Sequence, residues 1–468
     1  MATDRNRASD SGSRGSGSTP GRAGRPRRPR RAAPSRPAPT ARSVALGVVR
    51  RVAEDDAYSN LALSAALQRS ALSDRDRRLA ADLTYGTLRH LIPLDREIQA
   101  AARRDHESID PPVIAILRLG VFQLRHTRIP AHAAVGETVS LAPWRARGFV
   151  NAVLRRIATS PPPEIAGDDD EAVSLLTGLS VWAVAELRRI LPADEVEAAA
   201  SALAAQAPMC LRVNTCKATA AGVLEELGAA GLDPVPGAHH PDAIRIRSTD
   251  PTHLPAFVEG RVTVQEEASM LVGAALEVRP GEQVLDACAG PGGKASHLAC
   301  LVQPGGRAVA ADVSRTRASL VRATADRLGV PILVLAQDAR RPAPRASFDA
   351  VLVDAPCSGI GAARRRPELL WRPRREELDR LAGLQVEILC GAAETVRPGG
   401  RLVYSVCTFP PAETEAAVWA FLSKRDDFEP LSVPGPGGRA PSHRLWPHRE
   451  GTDAMFFAGF RRRNRSSG

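Results

Sequence analysis

Apolar side chains recur at helical spacing through the first third of the chain. Val113, Leu117, Val121 and Leu124 stand at i, i+4, i+8 and i+11, and Leu79 and Leu83 stand one turn apart. That spacing predicts amphipathic helices. Strand-like alternation is missing there, so residues 42–160 are expected to fold as an all-helical domain. The polar faces carry Arg50, Arg51, Arg75, Arg77, Arg78, Arg155 and Arg156. Such a basic surface suits RNA, although a charge run on a helix is more often a solvated face. Residues 161–170 (PPPEIAGDDD) read as a linker. Over 171–280 the pattern predicts linker helices and then a small α+β subdomain, with strand-like runs MCLRVN, AIRIRS and GRVTVQ and one helix, AAGVLEELGAAG. From 281 to 462 the pattern turns regular. Apolar runs at 283–287, 307–311, 332–335, 350–354 and 401–406 are mostly separated by helical stretches. In the helix after residue 314, Ser314 serves as N-cap, Gly329 as terminator, and Val321, Ala325 and Leu328 as the buried stripe. Alternation of this kind predicts an α/β class, Rossmann-like, doubly wound and mostly parallel sheet, with ligands at the carboxyl ends of its strands.

Composition changes this picture in two places. The net charge of +11 is concentrated in residues 1–41 and the residue after them: eleven arginines and two acids fall before position 43, a net of +9. This Gly, Ser, Pro and Arg segment has almost no large apolar side chain and is expected to be disordered. It suits either a solubilising tail or a non-specific phosphate-binding arm. The chain has three lysines, Lys217, Lys294 and Lys424, among 63 basic residues, so each lysine stands out. No apolar run reaches the roughly 18 residues of a membrane span, and no apolar signal segment opens the chain. The seven cysteines form no CxxC pair, so neither a zinc module nor a disulfide scaffold is expected. A cytoplasmic, reducing setting follows as an expectation, with no bound metal and a monomeric state.

Candidate chemistry gathers at the predicted strand ends. The run Val284 to Lys294 (VLDACAGPGGK) passes from an apolar strand through a glycine-rich turn into a helix. Small residues there allow close approach of a ligand to backbone N–H groups. It lacks GxGxxG, so the dinucleotide fingerprint does not apply. Asp312, Asp338 and Asp354 each end or follow a strand, and a carboxylate so placed can take ribose hydroxyls. One such Asp is usually a turn former, but three on one edge after a glycine turn fit an adenosyl-type ligand. Cys357 (DAPCSG) and Cys407 (YSVCT) lie just past two strand ends, with Lys294 as the candidate cation to favour a thiolate. Cys210, Cys216, Cys300 and Cys390 read as buried thiols. The arginine run Arg364, Arg365, Arg366, then Arg372, Arg374 and Arg375, follows the Pro-Cys motif and reads as phosphate contacts, with Trp371 for stacking or packing.

Taken in order, these segments resemble the RNA cytosine-5 methyltransferase family that includes the rRNA enzymes Fmu/RsmB and Nop2/Sun. DACAGPGGK, LVDAPCSGIGAARRRPELLW and LVYSVCTFPPAE carry the match in the catalytic part, LRVNT and VTVQEEAS in the small subdomain. LTYGTLRHLIPLD, LRLGVFQLRHTRIPAHAAVGETV and GFVNAVLRRI resemble the family's NusB-like RNA-binding domain. The resemblance implies S-adenosyl-L-methionine as methyl donor, lined by Cys288, Ala289, Gly290, Pro291, Gly292, Gly293 and Lys294. It implies Asp312 at the ribose, Asp338 by the adenine, and Asp354 facing both donor and base. It implies Cys407 as nucleophile, Cys357 as an aid to product release, and Lys294 as a positioning cation. The implied partner is 16S ribosomal RNA, at its position-967 site. The same chemistry on tRNA or 23S rRNA, or a non-catalytic RNA-binding factor, are the alternatives. The sequence departs from the family pattern at Gly290, usually Ala; at Ala295, usually Thr; at Val406 and Thr408, where Thr-Cys-Ser is usual; and at Thr414, usually Asn.

Overall fold

The computed structural model describes residues 38–247, 250–342, 346–373 and 375–464. The Arg-rich tail up to position 37, and Arg374, lie outside the described residues. Thr40 caps the first helix, α1 (Ala41–Glu54). Its side chain accepts from Ser43 N while the Ser43 hydroxyl engages the Thr40 backbone. Such reciprocal capping contributes about 1 kcal/mol. There follow α2 (Ser59–Gln68), α3 (Asp74–Arg89), α4 (Leu91–Ala102), α5 (Pro111–His126), α6 (Ala131–Leu141) and α7 (Arg147–Thr159). The apolar stripe read from the sequence explains why α5 is central. Val113, Leu117 and Val121 are buried, and α1, α3, α4, α6 and α7 all pack against it.

After an irregular stretch come α8 (Asp170–Thr177), α9 (Val181–Arg188) and α10 (Val196–Ala204). Their apolar faces share one core with Ile360, Leu369, Leu370, Phe409 and Trp446, so they floor the two segments that carry the paired cysteines. The small subdomain holds β1 (Met209–Val213), α11 (Ala220–Ala229), β2 (Val235–Pro236), β3 (Ala243–Ile246), α12 (Pro255–Val258) and β4 (Val262–Val264). Its sheet is antiparallel, in the order β2-β3-β1-β4.

The catalytic part follows α13 (Glu267–Ala275). It contains β5 (Gln283–Asp286), α14 (Gly293–Leu301), β6 (Arg307–Asp312), α15 (Arg315–Leu328), β7 (Ile332–Ala336), β8 (Phe348–Asp354), α16 (Glu376–Ala393), β9 (Val396–Val406) and α17 (Glu415–Lys424). The chain then forms β10 (Phe428–Pro430), β11 (Val433–Gly435), β12 (Gly438–Ala440), β13 (Ser442–Leu445) and β14 (Met455–Arg462). The five strands expected from the sequence are parallel neighbours in the order β9-β8-β5-β6-β7. Ser314 caps α15 and Gly329 ends it in a left-handed conformation, as read from the sequence. The strands after β9 were not anticipated. Met455 to Phe460 are all buried, so β14 offers no alternation to read. It lies antiparallel beside β9 and makes the sheet mixed.

The segment after the Pro-Cys motif forms the seam between helical and catalytic parts. Trp371 Nε1 donates to Leu88 O at 3.1 Å, and Arg372 Nη2 donates to Val52 O at 2.7 Å and Ala57 O at 3.0 Å. Arg89 Nη2 donates to Arg364 O at 3.0 Å, and Ser59 N donates to the buried Glu368 carboxylate at 3.2 Å. A further difference from the sequence reading concerns two cysteines taken as buried thiols. Cys216 is exposed, and it is joined to Cys300 as a disulfide across 84 residues, with Cα atoms 5.8 Å apart. Among the described residues, no helix is long and apolar enough to cross a membrane.

Candidate active site

Strand order decides which side chains meet. Asp286, Asp312 and Asp354 terminate β5, β6 and β8, and Cys407 follows β9, so all four stand on the carboxyl edge of one sheet. The glycine turn between β5 and α14 is held tightly there. Ala289 N donates to Ala311 O at 2.8 Å, and Gly290 N donates to Asp312 Oδ2 at 3.0 Å. Gly292 has φ 111°, and a Cβ on it would lie 3.1 Å from Val321 Cα. Conformation and space therefore both demand glycine. Gly290 has a different reason. A Cβ there would fall 2.6 Å from Asp312 Oδ2 and 2.7 Å from Arg317 Nε. Arg317 Nη2 donates to Gly290 O at 2.6 Å, so this arginine fills the space that the family's usual alanine methyl would take.

The turn fits an adenosyl donor on its own features. Cys288 to Gly293 approach closely without bulk, α14 begins at Gly293, and Asp312 is held 3% exposed beside them. Asp286 Oδ2 is buried without a hydrogen-bond partner, a polar atom left over at the same edge. Asp338 stands beyond β7 but is engaged by its neighbour: Arg340 Nη2 donates to its Oδ2 at 2.7 Å. That hydrogen bond holds the Asp338 carboxyl below its ordinary value.

Lys294, in the first turn of α14, reaches across to β8. Its Nζ lies 2.8 Å from Asp354 Oδ2, and Asp354 Oδ1 accepts from Ser405 Oγ at 2.7 Å. Burial works against the ammonium, but Asp354 outweighs it and holds Lys294 above its ordinary value. The two sulfurs of Cys357 and Cys407 lie 3.5 Å apart. The contact between them separates their proton affinities. Cys407 is lowered, first by the hydrogen bond from Cys357 and then, against burial, by Arg366 and Lys294. Cys357 is raised well above the usual thiol value by the same hydrogen bond and by burial. Of the two sulfurs, Cys407 is therefore the one displaced toward the thiolate and Cys357 the one displaced toward the thiol.

The arginine run, read from the sequence as six phosphate contacts, is largely engaged by the protein itself, with Arg372 on the carbonyls of Val52 and Ala57 and Arg375 beside Glu186 at 3.4 Å. Arg364 Nη1 donates to Gly451 O at 2.9 Å and Thr452 O at 3.0 Å. Arg365 pairs with Asp453 at 3.0 Å. Arg365 also donates to Pro208 O at 3.2 Å, so both guanidinium groups are committed inside the fold by acceptors far away in sequence. Arg366 differs. Its guanidinium sits 5.9 Å over the ring of the half-exposed Tyr58 and acts on Cys407. Trp371 packs at the seam instead of offering a face for stacking.

The sequence reading missed three groups at this edge: Asp286, Ser405 and Glu413. Burial, and then the Asp354 charge, push the Asp286 carboxyl up to about 7. Its charged form is therefore disfavoured by folding. That cost is absent below the unfolded-state value of about 4, grows as pH rises, and is complete above about 7. Asp286→Asn is expected to raise the thermal midpoint by a few degrees near pH 8 and by much less near pH 4.5. Thermal unfolding at the two pH values checks this, and an equal shift at both would refute it. Elsewhere, His240, Asp242 and His297 each bring a ligand atom within 4.8 Å of the others. Burial and then the Arg212 guanidinium lower His297 well below its ordinary value, and the same cation opposes a metal ion there.

The doubly wound sheet, its glycine turn and its strand-end acids define the catalytic domain of an S-adenosylmethionine-dependent methyltransferase, preceded by a helical domain of NusB type. Residues 273–461 match the family described as 16S rRNA methyltransferase RsmB/F. Residues 39–159 match the NusB family, and residues 179–253 match the ferredoxin-like domain of RsmF/B-like methyltransferases. The chain belongs to the RsmB/F family of ribosomal RNA small subunit methyltransferases. It is 35% identical over 428 residues to the ribosomal RNA small subunit methyltransferase B of Pseudomonas putida, covering 89% of this chain and 97% of the relative. With the protein of the same name from Escherichia coli it shares 33% over 425 residues, covering 89% and 97%. The crystal structure of PH0851 superposes with a TM-score of 0.77 at 28% identity, covering 90% of this chain and 98% of that one. NSun6 from Pyrococcus horikoshii shares the fold, with a TM-score of 0.53 at 21% identity over 60% of this chain and 97% of its own.

Proposed function

We propose that this protein methylates C5 of a cytosine in 16S rRNA, at the position-967 site, through a transient bond between Cys407 Sγ and C6. The observation that carries the reading is the pair of sulfurs 3.5 Å apart, beside the Lys294–Asp354 pair at the carboxyl edge. C5 of cytosine is a poor nucleophile. Addition of a thiolate to C6 moves electron density onto C5 and N3. Cys407 suits the attack because its sulfur is the one held toward the thiolate. The Lys294 ammonium, hydrogen-bonded to Asp354, can give a proton through this pair to N3 as negative charge develops there, and takes one back when the ring is restored. S-adenosylmethionine, when bound in the Cys288–Lys294 turn, supplies an electrophilic methyl group. Release needs the C5 proton to leave, the C5–C6 double bond to re-form and the C6–S pair to return to Cys407. The Cys357 thiol is placed to donate to that departing sulfur. Reaching C6 requires an unstacked base, which suits loop or single-stranded RNA, and Arg366 lies where a phosphate of that strand could be met.

The reversed assignment, with the Pro-Cys sulfur attacking, is disfavoured by the raised proton affinity of Cys357. The test is incubation of the full chain with 16S rRNA and methyl-labelled donor, followed by digestion to nucleosides. Label in 5-methylcytidine is expected. Label in any other nucleoside, or none, would overturn the proposal.

A further inference from the structure

Glu413 is a fully buried carboxylate on which, among the described residues, no cation is paired. It sits in the short helical turn Pro411–Glu413, between β9 and α17. Its oxygens are filled by neutral donors from three separate segments. Oε1 accepts from Ser358 N at 2.9 Å and from Gln385 Nε2 at 2.9 Å. Oε2 accepts from Ser358 Oγ at 2.5 Å and from Thr408 Oγ1 at 3.3 Å. Ser358 and Thr408 are the residues that follow the two cysteines, and their hydroxyls also meet each other at 2.7 Å. Gln385 Nε2, on α16, donates in addition to Pro356 O at 3.0 Å, just ahead of Cys357. The buried Tyr404 hydroxyl closes the network on Glu413 O at 2.7 Å.

A buried carboxylate side chain is costly to the fold unless its hydrogen bonds are complete. Here they are complete, and they converge on the two loops whose sulfurs touch. We infer that Glu413 is a positioning residue that braces the Cys357 loop against the Cys407 loop, and that this brace acts on product release. The inference rests on the thiol chemistry proposed above. The two loops depend on Glu413 unequally. Cys407 directly follows β9, which is paired on both sides in the sheet, and its carbonyl accepts from Gly361 N at 3.0 Å. Around Cys357, the backbone and hydroxyl of Ser358 are held by Glu413 itself, and Pro356 is held through Gln385. Loss of the carboxylate therefore frees Cys357 first. In release, the C5 proton passes to water, its electron pair forms the C5–C6 double bond, and the C6–S pair returns to Cys407, which the Cys357 S–H then stabilises. With Cys357 displaced, attack continues and release slows.

The test uses the full chain with 16S rRNA and S-adenosylmethionine. It scores the denaturant-stable protein–RNA adduct in the parent, Glu413→Ala, Glu413→Gln and Cys357→Ala. Glu413→Ala is expected to accumulate adduct although both cysteines are present, with kcat reduced about 10- to 100-fold and KM for RNA little changed. Glu413→Gln keeps Oε1 for Ser358 N and Gln385, and both hydroxyls can turn to accept from its amide. It should return release to within several-fold of the parent, a rescue that loss of charge alone would not allow. A second arm needs no RNA. Diamide should cross-link Cys357 to Cys407, scored by peptide mapping, at least several-fold more slowly in Glu413→Ala than in the parent. If Cys357→Ala traps adduct and Glu413→Ala does not, or if cross-linking is unaltered in Glu413→Ala, the brace is refuted. If Cys357→Ala traps nothing, the proposed function fails instead, and the diamide arm still decides the brace.

Discussion

Cys407→Ala is expected to reduce methyl transfer to background, a loss of roughly 10⁴-fold or more in kcat. The size follows from its place in the chemistry. Without a sulfur to add at C6, C5 never acquires the electron density that attacks a methyl group, and neighbouring groups cannot compensate. Cys357 lies only 3.5 Å away, but its proton is held tightly. Donor binding should be unchanged, because the Cys288–Lys294 turn is braced by Asp312, Arg317 and Thr324 and not by Cys407. Equilibrium dialysis with labelled donor, beside the transfer assay, separates the two effects. Loss of donor binding, or residual turnover within about tenfold of the parent, would contradict the assignment.

Cys357→Ala carries the second large effect, of a different kind. Turnover should fall roughly 10²- to 10⁴-fold, while a covalent protein–RNA species accumulates because the departing sulfur has lost its hydrogen-bond donor. The pH dependence adds a sign. The hydrogen bond from Cys357 is the first cause of the lowered proton affinity of Cys407. Its removal should raise that affinity, so the alkaline rise in the rate of adduct formation should move to higher pH than in the parent. A quench series across pH, read on denaturing gels, checks both. A shift to lower pH would mean that Cys357 does not donate to Cys407.

Much of the site was legible because strand ends on one sheet edge are close in space however far apart in sequence. Asp312, Asp354 and Cys407 could be placed together from alternation alone, and Lys294 stood out as one of three lysines. What escaped has a common physical cause. Glu413 acquires its meaning from donors at 358, 385 and 408, and nothing in PPAET signals a buried carboxylate. Arg364 and Arg365 look like phosphate ligands in a basic run, yet their acceptors lie at 451–453 and at Pro208. The role of 364–372 as a seam depends on carbonyls of α1 and α3 that local patterning cannot pair with it. β14 hides because a strand buried on both faces has no period to detect. The Gly290 departure ran the other way: visible in the sequence only as one methyl group fewer than the family pattern, it marks where Arg317 takes that space.

The central claim is that the sulfur of residue 407 bonds the pyrimidine. Peptide mapping of the Cys357→Ala adduct tests it most directly. After reaction with 16S rRNA and S-adenosylmethionine, the protein is digested with nuclease and protease and the modified peptide is sequenced by mass. The account predicts a methylated cytidine nucleotide on the peptide that contains Cys407 and on no other. A nucleotide on any other residue, or none on Cys407 while 5-methylcytidine is still produced, would contradict it.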